Sequence, residues 1–213
     1  MNTVGVIGAT GRVGGIVMER LLERGAGVVA ISRRQVDREG VDSRIADALD
    51  PCALGRSLEG VDAVVVALGI SENPVTVRLR GARGTADDVR SRGTATTVAA
   101  MEGHGIDRLV VLSTYGIGDS AAGLSPSMRL VVAGLLGPQF RDHEKQEQIV
   151  RRAPLDWTIA RPVNLVDGPR SAVYADTGMR TVSMKVGAEQ VGGALADWAL
   201  DGSYLRETVA LSS

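Results

Sequence analysis

The sequence predicts a doubly wound α/β fold built on a parallel sheet, and three observations carry that expectation. The β-branched run Thr3–Ile7 breaks into glycines and then into apolar residues at helical spacing. The same alternation of short apolar run and amphipathic segment recurs along most of the 213 residues. No internal repeat, low-complexity tract or linker interrupts it, so a single domain spanning 1–213 is expected.

Taken in order, Thr3–Ile7 reads as a buried parallel strand ending in a glycine turn. Val13, Ile16, Val17, Leu21 and Leu22 follow at helical spacing, with Arg12, Glu19, Arg20 and Glu23 between them. Gly25 and Gly27 end that helix, and Val28–Ile31 is a second strand. Strand, glycine turn, helix and strand within about 30 residues make a right-handed βαβ unit. Arg44–Ala46 reads as a weak third strand, Asp50–Leu58 as a short helix with Pro51 in its first turn, and Ala63–Leu68 as a strong fourth strand. Ala86–Gly103 is a long helix in spite of Gly93, and Arg108–Leu112 is the fifth strand. Asp142–Arg152 reads as a polar-faced helix that Asp142 can cap, and Trp157–Ala160 as the sixth strand. The tail holds a strand near Arg180–Ser183, a helix around Ala188–Leu200 and a last strand near Glu207–Leu211. Two long irregular stretches, Ser71–Thr85 and Gly116–Pro138, read as lids or binding segments, and residues 162–180 join them as short substrate-side elements. The ligand crevice belongs at the carboxyl ends of the first and fourth strands.

Composition narrows the functional classes. Hydrophobic residues make up 44% of the chain and the net charge is -1, which excludes disorder and argues against a nucleic-acid partner. No apolar run approaches the roughly 20 residues of a membrane helix. The apolar start breaks at Gly8–Gly11, too early for a signal peptide. The single cysteine, Cys52, cannot form an internal disulfide, so a reducing, cytoplasmic compartment is expected. No His/Cys cluster has metal-ligand spacing, so no metal is expected. Lysine occurs only at 145 and 185; the other 22 of the 24 basic residues are Arg, a side chain suited to phosphate.

The turn after the first strand reads Gly8-Ala9-Thr10-Gly11-Arg12-Val13-Gly14, a GxxGxxG spacing. The first glycine permits the tight turn, the second lets a pyrophosphate approach the backbone, and the third lets the helix lie against the strand. Helix N-terminal amides then face the phosphates. Its position between a strand and an amphipathic helix makes this a Rossmann dinucleotide site. The second strand ends in Ser32-Arg33-Arg34, with the first acid, Asp37, later in the loop. An acid at the strand end would bind a ribose 2′-hydroxyl, whereas arginines accommodate a 2′-phosphate. NADP(H) is therefore expected in preference to NAD(H).

Three further segments complete a recognisable set: Leu112-Ser113-Thr114 after the fifth strand, Asp156-Trp157-Thr158-Ile159-Ala160-Arg161-Pro162, and Asp167-Gly168-Pro169. With the GATGRVG turn, they make nearly the whole chain resemble the atypical short-chain dehydrogenase/reductase group. It is most similar to the NAD(P)H-binding, NmrA-like subgroup that includes flavin reductase/biliverdin-IXβ reductase. The resemblance implies that Gly8, Thr10, Gly11, Arg12 and Val13 line the pyrophosphate and that Arg33 and Arg34 meet the 2′-phosphate. It implies adenine contact at Asp47-Ala48 and ribose contact at Ala67, Leu68 and Gly69. Ser113 and Thr114 would lie near the nicotinamide, and Pro162, Val163, Asn164 and Leu165 would hold its carboxamide edge. Many members use a Tyr-xxx-Lys pair, in which lysine lowers the pKa of a tyrosine proton donor. Here Tyr115 is followed four residues later by Asp119 and Tyr174 by Gly178, so that pair is missing, as it is in the biliverdin/flavin reductase subgroup. Extra residues around Val77–Gly84 and Ser127–Gly137 also depart from the pattern and bear on substrate recognition.

Ser113, Thr114 and Tyr115 end the fifth strand, where side chains can project into the crevice and bond a carbonyl or the carboxamide. The alternative use of Ser113 and Thr114 is to satisfy loop amides. An unassisted Tyr115 phenol with a pKa near 10 is a poor acid at neutral pH. His143 and Lys145 lie at a helix start that the resemblance puts beside the nicotinamide, where either could bind substrate or supply a proton; the other reading is a solvated face. His104, in Glu102-Gly103-His104-Gly105, reads as a structural helix end. Met128, Leu130, Val131, Val132, Leu135 and Leu136 form an apolar segment that could pack in the core, wall a substrate site, close as a lid or join two copies. The expectation is an NADPH-dependent reductase passing hydride to a small conjugated acceptor such as a flavin, a quinone or a tetrapyrrole, working as a monomer or homodimer. Two alternatives stay open, a ketoreductase or isomerase of secondary metabolism and a non-catalytic NmrA-like NADP-sensing protein with a protein partner. A nucleotide-sugar epimerase fits worse, since the chain lacks room for a C-terminal substrate domain.

Overall fold

The computed structural model describes residues 2–69, 88–168 and 172–213. Eight strands form one sheet in the order β3-β2-β1-β4-β5-β6-β10-β8, all parallel except the β10–β8 pair. The strands are β1 (Thr3–Ile7), β2 (Gly27–Ser32), β3 (Val41–Ile45), β4 (Ala63–Val66), β5 (Arg108–Leu112), β6 (Asp156–Pro162), β8 (Tyr174–Asp176) and β10 (Glu207–Ser212). A separate parallel pair joins β7 (Asn164–Val166) to β9 (Lys185–Gly187). The doubly wound parallel sheet is therefore as the sequence implies.

Both faces of the sheet are covered, which is why β1, β2, β4 and β5 read as nearly unbroken apolar runs. On one face, Val4, Val6, Val28 and Val65 pack against α1 (Arg12–Glu23) and α6 (Ala188–Asp201) through Val17, Leu21, Val191 and Leu195. A Cβ on Gly192 would lie 2.4 Å from Ile16 Cγ2, so the two helices cross in contact. On the other face, Ile7, Ile31, Val64 and Val111 meet α2 (Pro51–Ser57), α3 (Val89–His104) and α5 (Gly137–Arg152) through Leu54, Met101 and Val150. His104 ends α3 and its Nε2 lies 2.8 Å from the Gly55 carbonyl oxygen, a structural contact between α3 and α2.

Three expectations need correction. The span Gly116–Pro138 is largely helical: a 3₁₀ turn at Gly118–Gly123, then α4 (Pro126–Val131), a π-helical stretch at Val132–Leu136, and the start of α5. The α5 helix begins at Gly137, because Pro138 fits a helix's first turn and the π stretch feeds straight into it. Asp142 is therefore mid-helix and caps a different helix: its carboxylate accepts from the backbone N–H of Arg90 and Ser91, each at 3.1 Å, in the first turn of α3. Nor is Arg180–Ser183 a strand. Asp176 accepts from Arg180 N at 2.9 Å and pairs with its guanidinium, and Met179 takes φ +61°, so the chain folds back between β8 and β9. The expected loop Ser71–Thr85 and the extra residues Val77–Gly84 lie outside the described residues, as do the first residues of the helix expected over Ala86–Gly103.

Candidate functional site

The turn from β1 into α1 is built so that only glycine fits at two points. Gly8 has φ +86°, and a Cβ there would stand 2.6 Å from the Ala67 carbonyl oxygen at the end of β4. At Gly14 a Cβ would stand 2.3 Å from Gly8 O, so the helix lies directly against the strand end. Gly11 caps α1 with no side-chain hydrogen bond, which leaves the first-turn amides of α1 without a side-chain partner. Open amides at a helix N-terminus, beside a backbone no Cβ obstructs, fit a diphosphate.

A cleft of about 1060 Å³ takes in this turn and lies over the carboxyl ends of β1, β2, β4, β5 and β6. It lies where the strand order reverses, between β1 and β4. Gly8, Thr10, Gly11, Arg12 and Val13 line its middle, and Arg12 pairs with Asp167 at the rim. Towards one end come Arg33 and Arg34, then Asp47 and Ala48. Asp47 Oδ1 accepts from Leu49 N at 2.9 Å, which fixes that turn. Ala67, Leu68 and Gly69 continue the wall, and Pro162, Val163, Asn164 and Leu165 close the other end.

Ser113, Thr114 and His143 reach the same cleft. Ser113 is buried, and its hydroxyl donates to Glu147 Oε1 at 2.7 Å. Glu147 is held in turn by Arg161, through Nε at 2.9 Å and Nη2 at 2.7 Å, and by Arg151 Nη2 at 3.2 Å. Burial works against the Arg161 charge, but Glu147 and Asp119 outweigh it and raise its pKa. Thr114 Oγ1 makes a long 3.3 Å bond to Tyr115 O. His143 Nδ1 lies 3.2 Å from Gln146 Oε1, and the Gln146 amide nitrogen donates to Thr94 Oγ1 at 3.0 Å. The Gln146 oxygen must then accept, so Nδ1 carries the hydrogen and Nε2 is left as a lone-pair acceptor. Burial, and next the nearby Arg90 cation, hold the His143 pKa down to about 3, so the imidazole is neutral.

Tyr115 is not brought to this cleft. Its phenol donates to Met179 O at 3.0 Å, only 6% of the residue is exposed, and its hydroxyl fills the space where Gly123 lacks a side chain. It lines instead a smaller cavity of about 140 Å³ with Leu124, Met128, Val132 and Phe140. Thr114 and Pro162–Asn164 line both spaces. Lys145 is exposed and outside the cleft lining, whereas Leu130, 76% exposed, faces away from the core on α4. Several lining residues escape the sequence reading, among them Leu49, Val89, Arg90 and Gln139. Gln139 stands one turn before His143 on α5, a spacing visible only once α5 is known to begin at Gly137.

A glycine-cradled helix N-terminus at the switch point of a parallel sheet, with arginines beyond the second strand, defines a dinucleotide-binding α/β protein. The chain belongs to the NAD(P)H-binding family, which it matches over residues 8–201. Part of it is 36% identical, over 126 residues, to the L-arabinose 1-dehydrogenase (NAD(P)(+)) of Haloferax volcanii, covering 56% of this chain and 46% of that protein. An uncharacterized chloroplastic protein of Arabidopsis thaliana is 25% identical over 169 residues, covering 77% of this chain and 59% of that one. The chain thus spans about half the length of the curated relatives it matches. Among solved structures, the oxidoreductase ylbE from Lactococcus lactis superposes with TM-score 0.80 at 16% identity, over 99% of this chain and 90% of that one. A wide-type short-chain dehydrogenase/reductase from Veillonella parvula, in complex with NADP, gives 0.78 at 17% identity, over 100% and 94%. ChuY, an anaerobilin reductase from Escherichia coli O157:H7, gives 0.76 at 20% identity, over 99% and 97%. Among the described residues no helix is long and apolar enough to cross a membrane, and no group of three His, Cys, Asp or Glu side chains could hold a metal ion.

Proposed function

We propose that this protein is an NADPH-dependent reductase that passes hydride to a small conjugated acceptor such as a flavin, a quinone or a tetrapyrrole. The observation that carries the reading is the continuity of one cleft from Arg33 and Arg34 to Ser113, Thr114 and the Pro162–Leu165 segment. In this reading the first-turn amides of α1 and Arg12 hold the pyrophosphate, and Arg33 and Arg34 fork onto the 2′-phosphate. Asp47 and Ala48 contact the adenine, Ala67, Leu68 and Gly69 pass beside its ribose, and Pro162, Val163, Asn164 and Leu165 take the carboxamide edge. NADPH supplies the hydride when bound, and the chain supplies alignment and a dry surface.

The side chains at the nicotinamide end divide the remaining work. Ser113 has committed its proton to Glu147, so its lone pairs can accept from the carboxamide amide. The weak Thr114 bond leaves that hydroxyl free to turn toward an acceptor carbonyl. His143, neutral, accepts through Nε2 and orients the acceptor. None of these groups carries a proton that it gives up readily at neutral pH, which suits acceptors protonated by solvent after hydride arrives. The 140 Å³ cavity beside Thr114 suits an apolar edge of the acceptor against Met128, Val132 and Phe140. ChuY, a protein of the same fold, is an anaerobilin reductase, which is in keeping with a reductase reading.

Titration calorimetry with NADPH and NADH, then the loss of NADPH absorbance with FMN and a quinone, tests the proposal. Tight NADPH binding with turnover is the expected result. Tight binding with no oxidation by any acceptor would overturn the reductase reading in favour of the sensor or of a redox-neutral enzyme.

A further inference from the structure

Arg90 is the most unusual residue in the cleft. It sits in the first turn of α3 with only 7% of its surface exposed, yet Nε and Nη1 have no hydrogen-bond partner. A buried guanidinium with unused donors is costly. The nearby acid relieves it only in part: Asp142 Oδ2 forms an ion pair with Nη1 at 3.8 Å, too long for a hydrogen bond, while its two carboxylate oxygens accept from the backbone N–H groups of Arg90 and Ser91. Burial accordingly lowers the Arg90 pKa, and its positive field is felt at His143.

A buried cation on the wall of a cleft, with two N–H donors unused and only a long ion pair to offset it, favours a nearby oxyanion. The cofactor's own phosphates have other partners in the proposed function: the α1 N-terminus and Arg12 for the pyrophosphate, and the arginines after β2 for the 2′-phosphate. Arg90 lies instead beside His143, on the α5 side where the acceptor is read to bind. We propose that Arg90 selects an acceptor bearing an anionic substituent, a carboxylate or a phosphate monoester, whose charge offsets that of the incompletely paired guanidinium. A charge-assisted contact of this kind holds one end of the acceptor, so it would favour one orientation of the conjugated system against the hydride. The inference rests on the reductase reading and refines it from an acceptor class to an acid within that class.

Matched pairs test it on the intact protein. FMN is compared with riboflavin, and anthraquinone-2-carboxylate with its methyl ester, each by kcat/KM with saturating NADPH. The wild-type protein should favour the anionic member of each pair at least tenfold, Arg90→Gln should bring that ratio near one, and Arg90→Lys should restore part of it. Equal kcat/KM within both pairs for the wild-type protein overturns the proposal without any variant, so loss of folding in Arg90→Gln cannot protect it. If Arg90→Gln instead raises the NADPH Kd as much as it lowers the anion preference, Arg90 serves a cofactor phosphate and the proposal is wrong. If no acceptor is reduced, the reductase reading fails separately. Binding of FMN and riboflavin to the NADP-loaded protein then decides the Arg90 site, equal affinities overturning it.

Discussion

Arg161 and Glu147 form an ion pair inside the protein, each only 3% exposed, with Nε and Nη2 of the arginine meeting the two carboxylate oxygens at 2.9 and 2.7 Å. The pair joins β6 to α5 and takes the Ser113 hydroxyl as a third member. Removing either charge leaves the other buried with a single, weaker ion-pair partner, Arg151 for Glu147 or Asp119 for Arg161. Glu147→Gln or Arg161→Met should each destabilise the fold by about 3–5 kcal/mol, while the double variant should lose clearly less than the sum. Urea denaturation of the four proteins measures this, and simple additivity would show that the charges are not coupled.

Neighbouring glycines in α1 should respond oppositely to alanine. Gly14→Ala forces a methyl to 2.3 Å from Gly8 O, so a loss of about 1–3 kcal/mol and weakened NADPH binding are expected. A Cβ on Gly15 meets nothing closer than Ala9 O at 3.8 Å, so Gly15→Ala should stabilise by about 0.5–1 kcal/mol through helix propensity. Thermal melts with and without NADPH separate the two effects.

Replacing Arg33 and Arg34 together by Ala should weaken NADPH binding by about tenfold to a hundredfold, the loss of charge-assisted bonds worth about 1.5–3 kcal/mol. NADH, without the 2′-phosphate, should lose far less. Calorimetry with both nucleotides checks this, and equal losses would remove the 2′-phosphate from these arginines.

His143 should leave a signature in stability against pH. Its pKa falls from 6.5 in the unfolded chain to about 3 in the fold. Below pH 6.5 the unfolded chain takes up a proton that the folded protein refuses, so this residue draws stability down by about 1.4 kcal/mol per pH unit until about pH 3. Above pH 6.5 it has no effect. His143→Gln should therefore flatten the fall between pH 6.5 and 5, read from urea midpoints; an unchanged slope would mean that the imidazole is solvated.

The parts of this structure that the sequence discloses are those set by local pattern. Strands β1 and β5 carry the expected bounds because their β-branched runs stop at a glycine and at Ser113. The phosphate turn is legible because its glycines keep a fixed spacing between a strand and a helix, with Gly14 crowded by Gly8 itself, although Gly8 is crowded by the distant Ala67. What escaped was set at long range. Pro138 reads as a loop residue until the π stretch before it supplies a helix to enter, and with α5 begun too late Gln139 drops out of view. Arg90 looks like one arginine among 22 until Asp142, 52 residues on, anchors its backbone and leaves its side chain with only a long ion pair. Tyr115 lies beside two cleft residues, yet it turns away toward Met179, 64 residues later.

The sheet order has a consequence at its two rims. Edge strands invite further strands to add, and a parallel sheet of apolar runs is a ready template for aggregation. Here the outermost strand on one side, β3, carries Asp42 and Arg44, joined by an ion pair, so an approaching strand meets charge. On the other side the edge is β8, three residues long and antiparallel to its neighbour. Growth by strand addition is thus discouraged at both ends, and the protein can concentrate its apolar strands in the middle of the sheet without becoming the seed of a fibril.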